Sequence, residues 1–183
     1  MAPTPAAPRP SDPTRRLVVI RHARAEQVAN SDAERRLTSE GRADAVAAGR
    51  WLRDRGLEPD RLLVSSAERT RETAAGVLEG GRFVGATLDV EPTLYSASPE
   101  TALDLVRECP DDIATLVVIG HNPTMAYLAQ LLDDGEGDAQ ASAALLQGYP
   151  TCTMTVFDVE GAWADLGEQQ AAVVAYQVAR GAG

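Results

Sequence analysis

The sequence predicts an α/β protein, a three-layer α/β/α sandwich around a mostly parallel central sheet. Two observations predict it. Apolar runs such as Leu17-Val18-Val19-Ile20 and Leu116-Val117-Val118-Ile119 are continuous rather than alternating, which is the pattern of strands buried on both faces. Longer stretches between such runs repeat apolar residues three and four apart, the period of a helix with one buried side. Strands that alternate with helices build a mostly parallel sheet covered on both sides.

Each element has its own signals. The first strand covers about Arg16 to Arg21. A polar loop containing Glu34-Arg35-Arg36-Leu37 leads to Thr38, an N-cap for a helix to about Arg55 that Gly56 ends. The inward face of that helix reads as Ala43, Val46, Ala47 and Trp51. Arg61 to Ser65 is a short strand, and Ser66 is the expected cap of a helix that packs through Ala74, Val77 and Leu78 and stops at Gly80-Gly81. Thr87 to Val90 is a weaker strand. Ser98-Pro99 starts the next helix with a cap and a proline at the first helical position, and its stripe is Ala102, Leu105, Val106 and Cys109. Thr115 to Ile119 is the central strand. Asn122-Pro123 repeats the cap-and-proline start for a helix that buries Met125, Leu128, Ala129 and Leu132. An acidic loop, Asp133 to Asp138, precedes a short helix over Ala139 to Leu146. Thr153 to Val159 and Ala171 to Ala179 are late strands, with a helical turn near Trp163.

The 183 residues suffice for one domain with a real core. Residues 1–14, rich in Pro and Ala, read as a disordered leader, and residues 15–183 as a single domain. A net charge of −10 argues against a nucleic-acid partner. No apolar stretch reaches the length of a membrane span. Cys109 and Cys152 form neither a disulfide framework nor a metal-binding spacing. The chain is therefore expected to be a cytoplasmic monomer. All 17 basic residues are arginine, so every cation available to an anionic ligand is a guanidinium that can grip two oxygens at once.

The placement of the two histidines carries the functional reading. His22 and His121 each follow an apolar run directly. In an open α/β sheet, ligands bind beyond the carboxyl ends of the strands. His22, Ser65-Ser66 with Arg69, and His121 all lie just past such ends, so residues distant in sequence are expected in one cleft. A phosphoryl group needs several preorganised, preferably cationic donors. Arg21 and Arg69 supply guanidinium groups, and helix starts near residues 66 and 122 add backbone N–H groups. A neutral imidazole nitrogen is a good nucleophile for phosphorus, and the N–P bond it forms is labile. A metal is the competing reading of a histidine pair, but no HxH or HxxxH spacing supports it. Neither metal nor cofactor is expected.

These residues resemble the histidine phosphatase (phosphoglycerate mutase-like) superfamily. Arg21-His22-Ala23 is similar to its Arg-His-Gly signature, with Ala in the third place. Ser65 to Ala74 is similar to its Ser-x-x-x-Arg-x-x-x-Thr-Ala motif, and Gly120-His121 to its second histidine. The short chain resembles the small SixA-like phosphohistidine phosphatase branch. So do Arg36-Leu37-Thr38-Ser39-Glu40-Gly41, Leu94-Tyr95-Ser96-Ala97, His121-Asn122-Pro123 and Tyr149-Pro150-Thr151. The resemblance implies a phosphoglycerate mutase-like fold, a nucleophilic His22, phosphoryl-holding Arg21 and Arg69, and a His121 that stabilises charge in the transition state. By their position beside these motifs, Arg24, Asn122 and Ser65 are expected as phosphate- or substrate-binding residues.

Larger members of the family carry a glutamate that protonates the leaving group, and Glu91 is the nearest candidate for it here. A missing acid would disfavour alkoxide leaving groups and is compatible with a phosphohistidine substrate. The expected partner is a protein bearing phosphohistidine. The alternatives are a small metabolite or nucleotide phosphate as substrate, or a non-catalytic module that reads phosphoproteins.

Overall fold

The computed structural model describes residues 14–182; the expected leader, apart from Thr14, lies outside them. Six strands form one sheet: β1 (Arg15–Arg21), β2 (Arg61–Ser65), β3 (Thr87–Glu91), β4 (Thr115–Gly120), β5 (Thr153–Val159) and β6 (Ala171–Val178). Their order across the sheet is β3-β2-β4-β1-β5-β6. β3, β2, β4 and β1 run parallel, and β5 and β6 complete the sheet antiparallel. Among the described residues the five α-helices are α1 (Ser39–Asp54), α2 (Glu68–Gly81), α3 (Pro99–Arg107), α4 (Thr124–Leu132) and α5 (Ala139–Gln147).

The continuous apolar runs are explained by helices on both faces. Val18 and Ile20 of β1 join Leu62, Val64, Val117 and Ile119 under α1 and α2. Leu17 and Val19 point the other way, with Leu116 and Val118, against α3, α4 and α5. All four side chains of β1 named here have no exposed surface. Trp163 is sealed in the second layer and donates its indole N–H to the Ile113 carbonyl at 2.8 Å. Among the described residues, no helix is long and apolar enough to cross a membrane.

Local chemistry sets most helix ends. Thr38 caps α1 by accepting from the Gly41 N–H at 3.0 Å, and Gly56 leaves the helix at φ +68°. Ser98 and Asp138 accept from Thr101 and Ala141 in the same way.

Three local expectations are corrected. α1 buries Gly41, Ala45, Ala48, Gly49 and Leu52, whereas Ala43, Val46, Ala47 and Trp51 are only partly covered. The reason is that α1 meets α2 backbone to backbone. A Cβ on Gly49 would stand 2.1 Å from the Val77 carbonyl oxygen, and one on Gly80 would stand 1.9 Å from that of Val46. Small residues make that contact, and a hydrophobic period does not register them. The cap of α2 is Ala67 rather than Ser66, with no side-chain bond to the helix start. Its turn is closed instead by the Thr70 hydroxyl, which lies 2.7 Å from the carbonyls of Ser65 and Ala67. α4 begins after Pro123, because the Asn122 side chain donates to the Tyr149 carbonyl instead of capping the helix.

Candidate active site

The parallel register of β1 and β4 pairs Arg21 with Gly120. The next residue of each strand is a histidine, so two neighbouring strands deliver both imidazoles to the same sheet edge. The His22 N–H donates to the Gly120 carbonyl at 3.0 Å, and the ring centroids stand 5.4 Å apart. β2, on the other side of β4, ends at Ser65, and α2 then brings Arg69 in with its second residue. An open cleft of about 770 Å³ is lined by Arg21, His22, Arg69, His121, Arg24 and Asn122, with Ala25, Glu26, Gln27, Arg35, Thr38, Glu40 and Thr151 around them.

His22 is buried, with 8% of its surface exposed. Its Nδ1 lies 2.7 Å from the Ala23 carbonyl oxygen. A carbonyl only accepts, so this contact assigns the proton to Nδ1 and leaves Nε2 with a free lone pair. Burial, opposed by the Ala23 bond and reinforced by His121, Arg69 and Arg21, pushes the pKa of His22 down to about 3. The ring is therefore neutral at pH 7.

His121 has the opposite arrangement. Its Nε2 lies 2.7 Å from the Ser65 hydroxyl, and its buried Nδ1 has no partner. The hydroxyl is satisfied when it donates to Nε2, which puts the ring proton on Nδ1 and leaves an unpartnered donor. Burial first, and Arg69 and Arg21 after it, push the pKa of His121 down to about 4. Its ring packs against that of Tyr95 in a T-shaped arrangement, with centroids 5.5 Å apart at 77°.

The two arginines are held by their ends. Arg21 donates through Nη1 to the Tyr149 carbonyl at 2.9 Å, and the same carbonyl accepts from Asn122 at 2.8 Å. Arg69 donates through Nη1 to the Asp32 carbonyl at 2.7 Å and through Nη2 to the Asp32 carboxylate at 3.0 Å. In both arginines the buried Nε–H has no partner, and neither has the side-chain oxygen of Asn122. Buried polar atoms without partners are costly and uncommon. Their concentration here, with His121 Nδ1, marks a place built for a polar ligand: three N–H donors and four cleft-lining side chains in all.

The remaining expected residues have other positions. Arg24 reaches the cleft but forms an ion pair with Glu40. Its loop is fixed by close packing, since a Cβ on Gly41 would lie 2.0 Å from the Arg24 carbonyl oxygen. Ser65 is fully buried behind His121 rather than on the cleft wall, so it can orient that ring but not meet a substrate. Glu91 is not brought to this cleft. It ends β3, accepts from the Thr93 N–H at 2.8 Å, and borders a separate hollow with Arg61 and Cys109. The bonds from Thr93 hold its pKa below the ordinary value, the reverse of what a proton donor needs.

Asp32, Tyr95 and the Tyr149 carbonyl were not singled out by motif and spacing. Tyr95 and Tyr149 lie inside stretches that carry the family resemblance, whereas Asp32 sits in a polar loop with no periodic signal. Among the described residues, no group of three or more His, Cys, Asp or Glu side chains is arranged to hold a metal ion.

Known proteins match both the sequence and the fold. Residues 17–95 match the family described as the histidine phosphatase superfamily (branch 1). An uncharacterized protein of Mycobacterium tuberculosis is 34% identical over 153 residues, which cover 82% of this chain and 92% of that protein. The phosphohistidine phosphatase SixA of Escherichia coli K12 is 28% identical over 125 residues, or 66% of this chain and 75% of SixA. Among solved structures, a chain from Nakamurella multipartitia, assigned by name to phosphohistidine phosphatase SixA, superposes with a TM-score of 0.81. It is 31% identical, and the match covers 93% of this chain and 99% of that one. With the paired histidines, the sheet order and these matches in agreement, this chain belongs to the histidine phosphatase superfamily.

Proposed function

We propose that this protein dephosphorylates phosphohistidine in a partner protein, through a phosphoryl group carried transiently on His22. The observation that carries the reading is the hydrogen bond from His22 Nδ1–H to the Ala23 carbonyl, which leaves Nε2 free among the cleft's guanidinium groups. In the first step Nε2 attacks phosphorus, the bond from phosphorus to the substrate imidazole breaks, and that nitrogen leaves with the electron pair. Arg21 and Arg69 hold the phosphoryl oxygens through their unpartnered N–H groups, and His121 Nδ1–H donates to the charge that builds up. In the second step water attacks phosphorus, the N–P bond to His22 breaks, and phosphate departs.

The choice of substrate rests on the leaving group. An alkoxide needs a proton as it departs, whereas imidazole leaves phosphorus more readily. Glu91, the expected acid, is engaged with its own turn, and of the two carboxylates on the cleft lining Glu40 is paired with Arg24 and Glu26 is exposed. The SixA relatives add support, since their names state this substrate. The protein is expected to need no metal, because the guanidinium groups supply positive charge and the His121 N–H a further donor.

The test is turnover of a phosphohistidine peptide beside a panel of metabolite and nucleotide phosphates, compared by kcat/KM. The peptide is expected to be preferred. Acid-labile phosphate is expected on the wild-type protein quenched at low temperature, and His22→Ala is expected to lose turnover while keeping its circular dichroism. Full activity in His22→Ala ends the covalent reading. Preference for a metabolite phosphate moves the substrate to the alternative class, and tight phosphate binding without turnover makes the protein a reader.

A further inference from the structure

Asp32 lies on a short 3-10 turn, Asp32–Glu34, in the loop between β1 and α1. Its carboxylate sits where three side chains converge. Oδ2 accepts from Arg69 Nη2 at 3.0 Å and from the Tyr95 hydroxyl at 2.6 Å, and Oδ1 accepts from Arg35 Nη1 at 3.0 Å. The main-chain carbonyl of the same residue accepts from Arg69 Nη1 at 2.7 Å. One residue thus takes both terminal nitrogens of the cleft arginine and leaves its Nε–H unpartnered. The same carboxylate oxygen anchors the hydroxyl of Tyr95, whose ring lies against His121.

We propose that Asp32 is a positioning residue of this active site: its carboxylate fixes the Arg69 guanidinium so that the Nε edge faces the phosphoryl group. The inference rests on the phosphatase reading above and on the role given there to Arg69.

Two physical arguments separate this from an ordinary surface ion pair. Exposed pairs contribute little, because water competes for both partners. Here the Arg69 side chain is only 8% exposed while that of Asp32 is 52% exposed. A buried guanidinium cannot trade a lost partner for water, so its orientation depends on the groups that touch it. The second argument is chemical. Hydrogen bonds from Tyr95, Arg35 and Arg69 hold the Asp32 carboxyl well below the usual carboxylate range. It stays ionised throughout the working pH range, which suits an anchor for cations and excludes a proton donor. The charge is also partly neutralised by its own partners, so it does not repel an incoming phosphoryl group as a free carboxylate would.

The experiment is a double-mutant cycle on Asp32 and Arg69, read by kcat and KM on an aryl phosphate and by inhibition with tungstate. Asp32→Ala is expected to lower kcat/KM about tenfold to a hundredfold, the range that follows when a substrate-holding group is misplaced by about an ångström. Tungstate binding is expected to weaken in the same variant. Arg69→Ala is expected to lose at least as much, and adding Asp32→Ala to it is expected to change kcat/KM by less than twofold. That non-additivity is what action through Arg69 requires; a merely structural contribution would repeat its full cost in both backgrounds. The half-exposed position of Asp32 leaves the fold intact on truncation. Should the alanine variant not fold, Asp32→Asn goes through the same cycle under the same criterion. Wild-type kcat/KM in the Asp32 variant, or equal losses with and without Arg69, overturns the inference alone. Wild-type activity in Arg69→Ala or His22→Ala overturns the phosphatase reading beneath it.

Discussion

The two imidazoles of the cleft leave opposite nitrogens free. His22 spends Nδ1–H on a backbone carbonyl one residue away, and His121 spends Nε2 on the hydroxyl of Ser65. One ring therefore offers a lone pair and the other a proton, although neither is charged. Their neutrality follows from burial among guanidinium groups, which penalises the cationic form. With pKa values pushed down to about 3 and about 4, the neutral rings persist from pH 7 to well below the ordinary histidine midpoint near 6.5. The chain has only these two histidines, so its imidazole proton resonances are easily assigned. Followed against pH, both are expected to titrate below pH 5. A midpoint at or above 6 for either ring would contradict the burial argument.

At the scale of elements, the helix pair α1–α2 carries the arginine side of the cleft. α1 follows the loop that holds Arg24 and Asp32, and α2 carries Arg69. The two helices touch through glycines, so their spacing is set by backbone contact rather than by interleaved side chains. A methyl group at position 80 has nowhere to go, since the Val46 carbonyl oxygen would be 1.9 Å away. Gly80→Ala is expected to destabilise the protein by about 1–3 kcal/mol through overpacking. For a chain of this length that lowers Tm by about 2–4 °C per kcal/mol. Gly85→Ala, where a Cβ meets nothing within 4 Å, is the control and is expected to fall within about 0.5 kcal/mol of wild type. Thermal unfolding of the two variants side by side checks both statements.

At the scale of the whole molecule, the buried histidines couple stability to pH. Unfolded, each ring binds its proton near pH 6.5; folded, the rings stay neutral down to about pH 3 and 4. Between these limits the unfolded chain holds more protons, so the free energy of unfolding rises with pH and falls as the pH is lowered from about 6.5. The loss between pH 6.5 and 5 is expected to be about 1–2 kcal/mol per histidine. Urea unfolding at several pH values in this window measures it. A variant with both histidines replaced by asparagine is expected to lose most of the slope, and an unchanged slope would assign the effect to other groups.

The sequence by itself determined the strands, the starts of α1, α3 and α5 and the neighbourhood of the histidines, because those depend on contacts close in the chain. Continuous apolar runs dictate buried strands, Thr38 and Ser98 cap the helices they precede, and a residue that ends a central strand is delivered to the sheet edge. His22, Arg21, Arg69 and His121 could therefore be expected around one cleft before any coordinates. What the residues of a loop or a helix contact is settled only when distant segments meet. The buried face of α1 depended on which glycines would lie against α2. Ser65 turned out to stand behind His121, 56 positions away, and Asp32 to meet Arg69 from 37 positions away. No local pattern encodes those pairings, since each arises from two stretches that come together only in the packed chain.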